Sequence, residues 1–178
     1  FTSNGSFLVK PEDFKGVKSR GLEPSFNASL EALGAAPSSM SGSKVYQALA
    51  TNVIDAGLTD VSAAVSRKYF EVQDHFTVVP VISVYFHGYV NPTWYDSLSE
   101  KNRAALDRAG KTAASLAIDA SIAASADAPD TLRSKGSNVH IATDAEITAL
   151  EAVMRPAFDA KFKGNDDASK LIELIAKM

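Results

Sequence analysis

Hydrophobic and polar positions in the first half of the chain follow two different periods. Residues 17–20 form a short extended run that is typical of a strand. Phe26, Leu30 and Leu33 then recur at the spacing that places them on one face of a helix, and Gly34 directly afterwards is a typical helix stop. Because a strand, a turn and a helix in sequence are the unit of α/β proteins, the pattern predicts a mixed α/β fold.

The most strand-like stretch covers residues 77–90, which are rich in β-branched and aromatic side chains. The stretch is too short for a membrane span, and Pro80 within it favours a bend or an edge position. Ser83, Tyr85 and His87 alternate along the stretch. A regular strand would therefore place these three side chains on one face of the sheet.

The second half of the chain is predominantly helical in its pattern. A long helical period follows Ser99, and we expect Pro129 to end that helix because proline has no N–H to continue it. Residues 138–141 then form a short strand pattern. Thr143 and Glu146 have the spacing of a capping box, which predicts the start of another amphipathic helix.

Composition narrows the class of protein. The 178 residues are 46% hydrophobic and 22% charged, which suits a chain with an ordinary core and argues against disorder. The net charge is −3 and lysines and arginines form no stripe, so the sequence gives no support for nucleic acid as a partner. The absence of cysteine excludes disulfides, thiolate chemistry and cysteine zinc sites. The chain starts at Phe1 without a signal-like segment, so we expect its start to be processed, trimmed or engineered.

The sequence contains no pattern that is typical of catalysis or of a metal site. It has no Gly-x-Ser-x-Gly motif, no glycine-rich phosphate loop and no His-Glu-x-x-His. His75 and His140 have no partner at metal-ligand spacing. The alanine-rich residues 113–126 are interrupted by Asp119, so they favour a helix that packs against a close neighbour rather than a membrane span. We therefore expect no enzyme, no metal, no cofactor and no membrane-spanning segment.

Three motifs occur in an order that is known from one protein family. They are PEDFKGVKSR, then LGAAPSSMSGSKVYQALATNVIDA, then RKYFEVQDHF. In this order they resemble the solute-binding proteins of tripartite ATP-independent periplasmic (TRAP) transporters, the DctP-like family. The positions that carry the match are Gly16, Lys18, Arg20, Leu33, Gly34, Ala35, Pro37, Met40, Val45, Tyr46, Ala48, Leu49, Asp55, Tyr69, Glu71, Val72, Asn91, Trp94 and Leu98.

The resemblance implies a fold and a division of the chain. The expected fold is α/β, one lobe of a periplasmic-binding-protein-like fold of type II, with a long connecting helix and C-terminal helices. Residues 1–90 would form the ligand-binding lobe. Residues 91–178 would form the long helix, a short strand and the helices that pack on the lobe. Members of the family have two lobes, so we expect this chain to contain the C-terminal lobe without the N-terminal one.

The resemblance also implies a function. The protein would be an extracytoplasmic receptor in the periplasm that captures a small organic acid, a carboxylate, and delivers it to the membrane permease subunits of a TRAP transporter. Closure of two lobes would enclose the ligand. The alternative is a structural or protein-interaction module derived from such a lobe, because residues 21–25 and the pair Leu58 and Thr59 depart from the family pattern.

Arg20 is the residue to which the resemblance assigns a two-pronged salt bridge with the carboxylate of the ligand. The assignment agrees with the chemistry of guanidinium, which is planar, always charged and matched to the two oxygens of a carboxylate. Spacing alone leaves an alternative open, in which Arg20 is a surface residue paired with Glu23 or Asp13.

The resemblance places further ligand contacts in two other segments. Gly57, Leu58 and Thr59 occupy the loop that supplies a second contact in the family, although Thr59 or Asp60 would equally serve as the cap of the next helix. The remaining candidates lie on the long strand pattern, which lines the cleft in the family: Ser83, Tyr85 and His87. The histidine would donate to a second carboxyl or hydroxyl group, and its alternative is a packed, hydrogen-bonded structural role.

Overall fold

The computed structural model describes residues 1–82 and 86–175. The strands in these residues are β1 (Thr2–Ser3), β2 (Lys18–Gly21), β3 (Ala36–Ser39), β4 (His75–Val78) and β5 (Asn138–Ile141). The α-helices are α1 (Pro24–Ala32), α2 (Gly42–Ala50), α3 (Val61–Ser66), α4 (Pro92–Ser97), α5 (Glu100–Ser134), α6 (Asp144–Ala160) and α7 (Asp166–Ile175). Short 3₁₀ helices cover Pro11–Phe14 and Tyr69–Glu71. Strands and helices alternate, as the hydrophobic pattern predicts.

The strands pair into two small sheets that a short connecting segment joins. Within the described residues, β1 is antiparallel to β4, β4 is parallel to β5, and β2 is parallel to β3. Ala56 forms a bridge to Ser19 in β2, and Gly57 forms a bridge to Thr2 in β1. The backbone N–H of Arg20 also donates to the carbonyl oxygen of Ala56 at 2.9 Å. The end of β2 that carries Arg20 is thereby fixed beside the loop that follows Gly57.

Two hydrophobic clusters hold the helices against the strands. In the first cluster α1 packs against α6, and Leu30 and Leu150 are buried at this contact. In the second cluster α3 packs against α5, and Ala64 and Leu132 are buried. Burial of one leucine side chain stabilises a fold by roughly 1.5–3 kcal/mol, so these contacts fix the relative position of the two helices in each pair. The second cluster holds α3 next to the loop that follows Gly57.

β4 is much shorter than the strand predicted at residues 77–90. It ends at Val78, opposite Ile141, where β5 ends as well. Beyond this point β5 leads into α6, so the next residues lose that partner, and Pro80 has no N–H for a ladder. The prediction of a strand up to residue 90 is therefore wrong for the part of this range that the structure describes.

α5 continues through Pro129 and ends at Ser134, so the prediction that this proline ends the helix is wrong. A proline inside a helix removes a backbone hydrogen bond and costs ~3 kcal/mol. Ala128 and Leu132 on either side of the proline are buried, and Leu132 belongs to the second hydrophobic cluster. Tertiary packing therefore holds the last turns of α5 in place despite the missing hydrogen bond.

Candidate functional site

A cleft of about 810 Å³ lies beside the ends of β2 and β4. Its walls come from the end of β2, the loop before α3, α3 itself, β4 with the segment that follows it, and α5. Two cations, Arg20 and Arg67, line this cleft together with apolar side chains such as Leu22, Val79 and Phe86. The volume suits a small molecule, since ligand pockets usually measure ~300–1,000 Å³.

Arg20 is held in the cleft by two backbone carbonyl groups. Its Nε donates to the carbonyl oxygen of Met40 at 3.3 Å, and its Nη1 donates to the carbonyl oxygen of Leu58 at 2.6 Å. A guanidinium has five N–H donors in a rigid fork. Within the described residues, these two bonds leave the Nη2 group of Arg20 without a protein acceptor. The side chain is therefore fixed in place while donors remain available to an anion.

The alternative pairing of Arg20 with Glu23 or Asp13 is not formed. Glu23 caps α1, and its carboxylate accepts from the backbone N–H of Phe26 at 3.2 Å. Asp13 accepts from the backbone N–H groups of the two residues before the first 3₁₀ helix, at 2.9 and 2.8 Å. Both carboxylates thus stabilise local turns, and among the described residues Arg20 has no acidic partner within 4.0 Å.

The electrostatic environment of Arg20 favours an anionic ligand. Partial burial lowers the pKa of Arg20 from its ordinary value, Tyr69 acts in the opposite direction, and the positive charge of Arg67 lowers the pKa further. A guanidinium nevertheless stays charged at neutral pH because its ordinary pKa lies above ~12. A carboxylate bound at Arg20 would remove the cost of holding this half-buried cation near a second one.

Arg67 is the second cation of the cleft, and the sequence analysis did not single it out. It is the C-cap residue of α3, and its Nη1 donates to the hydroxyl oxygen of Thr59 at 3.4 Å. Its guanidinium lies against Gly42, where an added Cβ would come within 2.5 Å of Nη1. The available sequence signals are its place at the start of the third motif and its position after α3, but a cation at a helix C-terminus is equally explained by the helix dipole.

The predicted loop of Gly57, Leu58 and Thr59 reaches the cleft in part. Leu58 and Thr59 line the cleft, and Leu58 offers its carbonyl oxygen to the guanidinium of Arg20. Gly57 is buried, and its N–H donates to the hydroxyl oxygen of Thr2 at 3.0 Å and also reaches the carbonyl oxygen of Thr2 at 3.3 Å. Gly57 therefore joins β1 to the loop, while the next two residues face the cleft.

Asp60, rather than Thr59, caps α3. The Asp60 carboxylate accepts from the first backbone N–H groups of the helix, including that of Ser62 at 2.8 Å. The hydroxyl group of Thr59 is therefore not occupied by the helix start, and it contacts the guanidinium of Arg67 instead. Of the two capping alternatives in the sequence, the structure contains the one that leaves Thr59 in the cleft.

Of the three candidates on the long strand pattern, His87 is the one that the structure describes. Ser83 and Tyr85 lie outside the described residues. His87 is exposed and does not line the cleft, whereas the preceding Phe86 does. A role for these three side chains in ligand binding therefore stays a prediction.

The chemistry of the cleft suits binding. Among residues 1–82 and 86–175, no three His, Asp or Glu side chains are arranged to hold a metal ion. None of the helices in the same ranges combines the length and hydropathy that a membrane span requires. The cleft offers two guanidinium groups, a threonine hydroxyl and apolar walls. These groups would hold an anion by charge-assisted hydrogen bonds and exclude water from its apolar part.

Comparison with known proteins gives a consistent result. The family model for bacterial extracellular solute-binding protein, family 7 (DctP), matches residues 1–165. The C4-dicarboxylate-binding periplasmic protein DctP of Rhodobacter capsulatus is 33% identical over 161 residues, which cover 85% of this chain and 46% of that protein. The chain spans about half the length of the curated relatives that it matches.

Solved structures share the same architecture. A TRAP periplasmic solute-binding protein from Roseobacter denitrificans, with bound β-D-glucuronate, has a TM-score of 0.83 at 25% identity, over 98% of this chain and 57% of that chain. A second one, from Shewanella oneidensis with bound succinate, has a TM-score of 0.80 at 26% identity, over 91% and 53% of the two chains. The predicted α/β fold and the predicted resemblance to TRAP solute-binding proteins are confirmed.

Proposed function

We propose a function on one premise: this chain belongs to the bacterial extracellular solute-binding proteins of family 7. The family consists of binding proteins rather than enzymes, and proteins that this chain resembles have been solved with carboxylates bound. On this basis the cleft beside β2 and β4 binds the carboxylate group of a small organic acid. The protein that contains this chain acts as a receptor outside the cytoplasm.

The observation that carries the proposal is the state of Arg20. Its guanidinium is half-buried, held by two carbonyl oxygens and without an acidic partner among the described residues. A buried or half-buried charge normally has a partner, because removing a charge from water is costly. A ligand carboxylate that accepts from the free Nη2 group would supply this partner and would form short, charge-assisted hydrogen bonds.

Delivery to a transporter is the second part of the proposal. Solute receptors act by presenting a closed, ligand-bound conformation to a membrane protein, and closure requires walls on both sides of the ligand. This chain provides one wall with two cations, and the matched relatives are about twice as long. We place the receptor in the periplasm and name the membrane subunits of a TRAP transporter as its partner.

Calorimetric titration of the native protein with malonate, succinate and glucuronate tests the proposal. We expect at least one of these acids to bind, and we expect Arg20→Lys to weaken its binding by roughly a hundredfold, because lysine keeps the charge but loses the planar fork. Arg133→Lys is the matched control. Arg133 also donates to a carboxylate and to a backbone carbonyl, those of Asp130 and Val139, but it does not line the cleft.

The outcomes separate the two functions that the sequence allows. Binding that depends on Arg20 and not on Arg133 supports the receptor. If none of the acids binds to the folded protein, the receptor function is wrong for this acid panel and the interaction module gains support. If an acid binds equally well to the wild type and to Arg20→Lys, then the protein is a receptor but Arg20 is not its carboxylate contact.

A further inference from the structure

Two guanidinium groups contact consecutive residues of the loop before α3, Leu58 and Thr59. Arg20 donates to the carbonyl oxygen of Leu58 at 2.6 Å, and Arg67 donates to the hydroxyl oxygen of Thr59 at 3.4 Å. The Cα atoms of consecutive residues are ~3.8 Å apart, so the two cations are held along the same short stretch of backbone. Both side chains line the same cleft, and the charge of Arg67 acts directly on Arg20.

The segment around residues 40–42 positions both cations. Arg20 reaches the carbonyl oxygen of Met40 with its Nε, and Arg67 lies against Gly42. The absence of a side chain at Gly42 makes this contact possible, because an added Cβ would come within 2.5–2.8 Å of three guanidinium atoms of Arg67. The backbone of Arg67 is also fixed, since Arg67 directly follows α3 and α3 packs against α5. Arg67 therefore has a defined position in the cleft although its side chain is exposed.

The pair of cations has one acidic neighbour in the lining, and that group is already engaged. Asp60 accepts from the Ser62 hydroxyl and from the first N–H groups of α3. In the part of the chain that the structure describes, neither Arg20 nor Arg67 has a carboxylate within 4.0 Å. Two like charges in one cleft repel each other, and an anionic ligand removes that repulsion at each cation that it contacts.

We infer that Arg67 is a specificity-determining residue that binds a second anionic group of the ligand. The inference rests on the proposed function, in which Arg20 binds the first carboxylate. With both cations engaged, the cleft prefers a small dianion to a monoanion of the same length and shape. Arg67 contributes less to the binding of a monoanion than to that of a dianion, because Arg20 contacts the single carboxylate of the monoanion.

Matched ligand pairs isolate the second anionic group. Succinate and succinamate have the same length, as do malonate and malonamate, but in each second compound an amide replaces one carboxylate. For the native protein we expect the dianion of a pair to bind roughly tenfold more tightly, as one added charge-assisted contact at an exposed arginine allows. In Arg67→Gln we expect this ratio to fall to near one, because the dianion loses the contact of its second carboxylate and the monoanion has no second carboxylate to lose.

A second variant moves Arg67 without removing its charge. Gly42→Ala places a methyl group where the Arg67 guanidinium lies, so the guanidinium has to move away from this position. We expect this variant to lose the preference for the dianion as Arg67→Gln does. Lys68→Gln is the control for net charge, because Lys68 is the next residue in the chain, does not line the cleft and pairs at 3.9 Å with Glu71. We expect it to keep the preference.

Each result of the titrations bears on one of the two proposals. Loss of the dianion preference in Arg67→Gln and Gly42→Ala, but not in Lys68→Gln, supports the role of Arg67. An unchanged ratio of dianion to monoanion affinity in Arg67→Gln overturns that role and leaves the receptor function standing. The same follows if glucuronate binds and neither dianion does. If no acid of any kind binds, the receptor function itself is wrong, and this inference is wrong with it.

Discussion

The Nη1 atom of Arg20 lies 2.6 Å from the carbonyl oxygen of Leu58, so an arginine of β2 fixes the loop that enters α3. The same side chain reaches the carbonyl oxygen of Met40 with its Nε, at 3.3 Å. Arg20 therefore joins three segments of the chain before any ligand arrives. Its structural role and its proposed binding role use different N–H groups of one guanidinium, and for that reason the two roles can be measured separately.

Replacement of Arg20 by methionine should destabilise the ligand-free protein. The variant leaves the carbonyl groups of Met40 and Leu58 without their donor, and a partly buried carbonyl without a hydrogen bond costs about 1–3 kcal/mol. Urea denaturation of the ligand-free protein measures the change in the free energy of unfolding. Arg133→Met, which removes an exposed ion pair, should cost less than ~1 kcal/mol. Equal losses in the two variants would contradict a structural role for the Arg20 bonds.

Gly57 allows β1 to approach the loop before α3, and alanine at this position should destabilise the fold. The added Cβ would come within 2.7 Å of the Thr2 hydroxyl oxygen, an overlap that forces one of the two segments to move and costs about 1–3 kcal/mol. The free energy of unfolding measures this cost. Gly88→Ala is the matched control, since a Cβ there meets no atom within 4 Å. We expect no comparable loss in the control.

A double variant identifies the cause of that loss. Thr2→Ala removes the hydroxyl group with which the Cβ of Gly57→Ala would collide, although it also removes the hydrogen bonds of this hydroxyl to Gln73 and Gly57. If the collision is the cause, Gly57→Ala should cost less in the Thr2→Ala background than in the wild type. An equal cost in both backgrounds would attribute the effect to the backbone of residue 57 instead.

Local patterns allowed several elements to be predicted from the sequence. β5 has the predicted bounds, Asn138–Ile141, and Thr143 with Glu146 forms the predicted capping box of α6. Gly34 follows α1 with a φ of 86°, a conformation that glycine adopts easily, as its prediction as a helix stop requires. Each of these features depends on residues within a few positions of one another, so their signals lie in short stretches of sequence.

The elements that sequence analysis missed depend on distant partners. β3 has the sequence Ala-Pro-Ser-Ser, without hydrophobic alternation, and it is a strand because β2 lies beside it. β4 is short because β5 ends at Ile141, more than sixty positions away. In the same way, the resemblance assigned a role to one cation of the cleft, Arg20, whereas Arg67, at the start of the third motif, is placed in the cleft by the packing of α3 on α5. Long-range packing of this kind has no local signal.

Pro129 lies inside α5, and its replacement allows a further prediction about the stability of that helix. Alanine at this position would restore the backbone hydrogen bond to the carbonyl oxygen of Ser125, so we expect the free energy of unfolding to rise by about 1–3 kcal/mol. Gly110→Ala, in an exposed turn of the same helix, is the comparison and should raise it by only ~1 kcal/mol. Thermal denaturation of the two variants measures both gains. A loss of stability in Pro129→Ala would mean that packing of the proline ring outweighs the missing bond.

Glu146 should make the stability of the protein depend on pH in the acidic range. The Glu146 carboxylate accepts from the backbone N–H of Thr143 at 2.8 Å, and the Nε2 atom of His140 lies 2.8 Å from the same carboxylate; together these bonds lower the pKa of Glu146 from 4.5 to about 2. A carboxyl group with a lowered pKa in the folded state stabilises the fold fully above its unfolded pKa, and the contribution is lost as the pH falls towards the folded value. The stabilisation should therefore be complete above pH 4.5 and should disappear between pH 4.5 and about 2.

Urea denaturation between pH 2 and pH 6 of the wild type, Glu146→Gln and Glu151→Gln tests this expectation, over a range that includes both pKa values of Glu146. Glutamine keeps an oxygen that accepts from Thr143 but carries no charge that titrates. The difference in free energy of unfolding between the wild type and Glu146→Gln should stay constant above pH 4.5 and shrink below it. Glu151→Gln removes an exposed carboxylate from the same helix and is the control for the general loss of one negative charge. If the two variants show the same dependence, general charge repulsion at low pH, rather than the capping box, would be the cause.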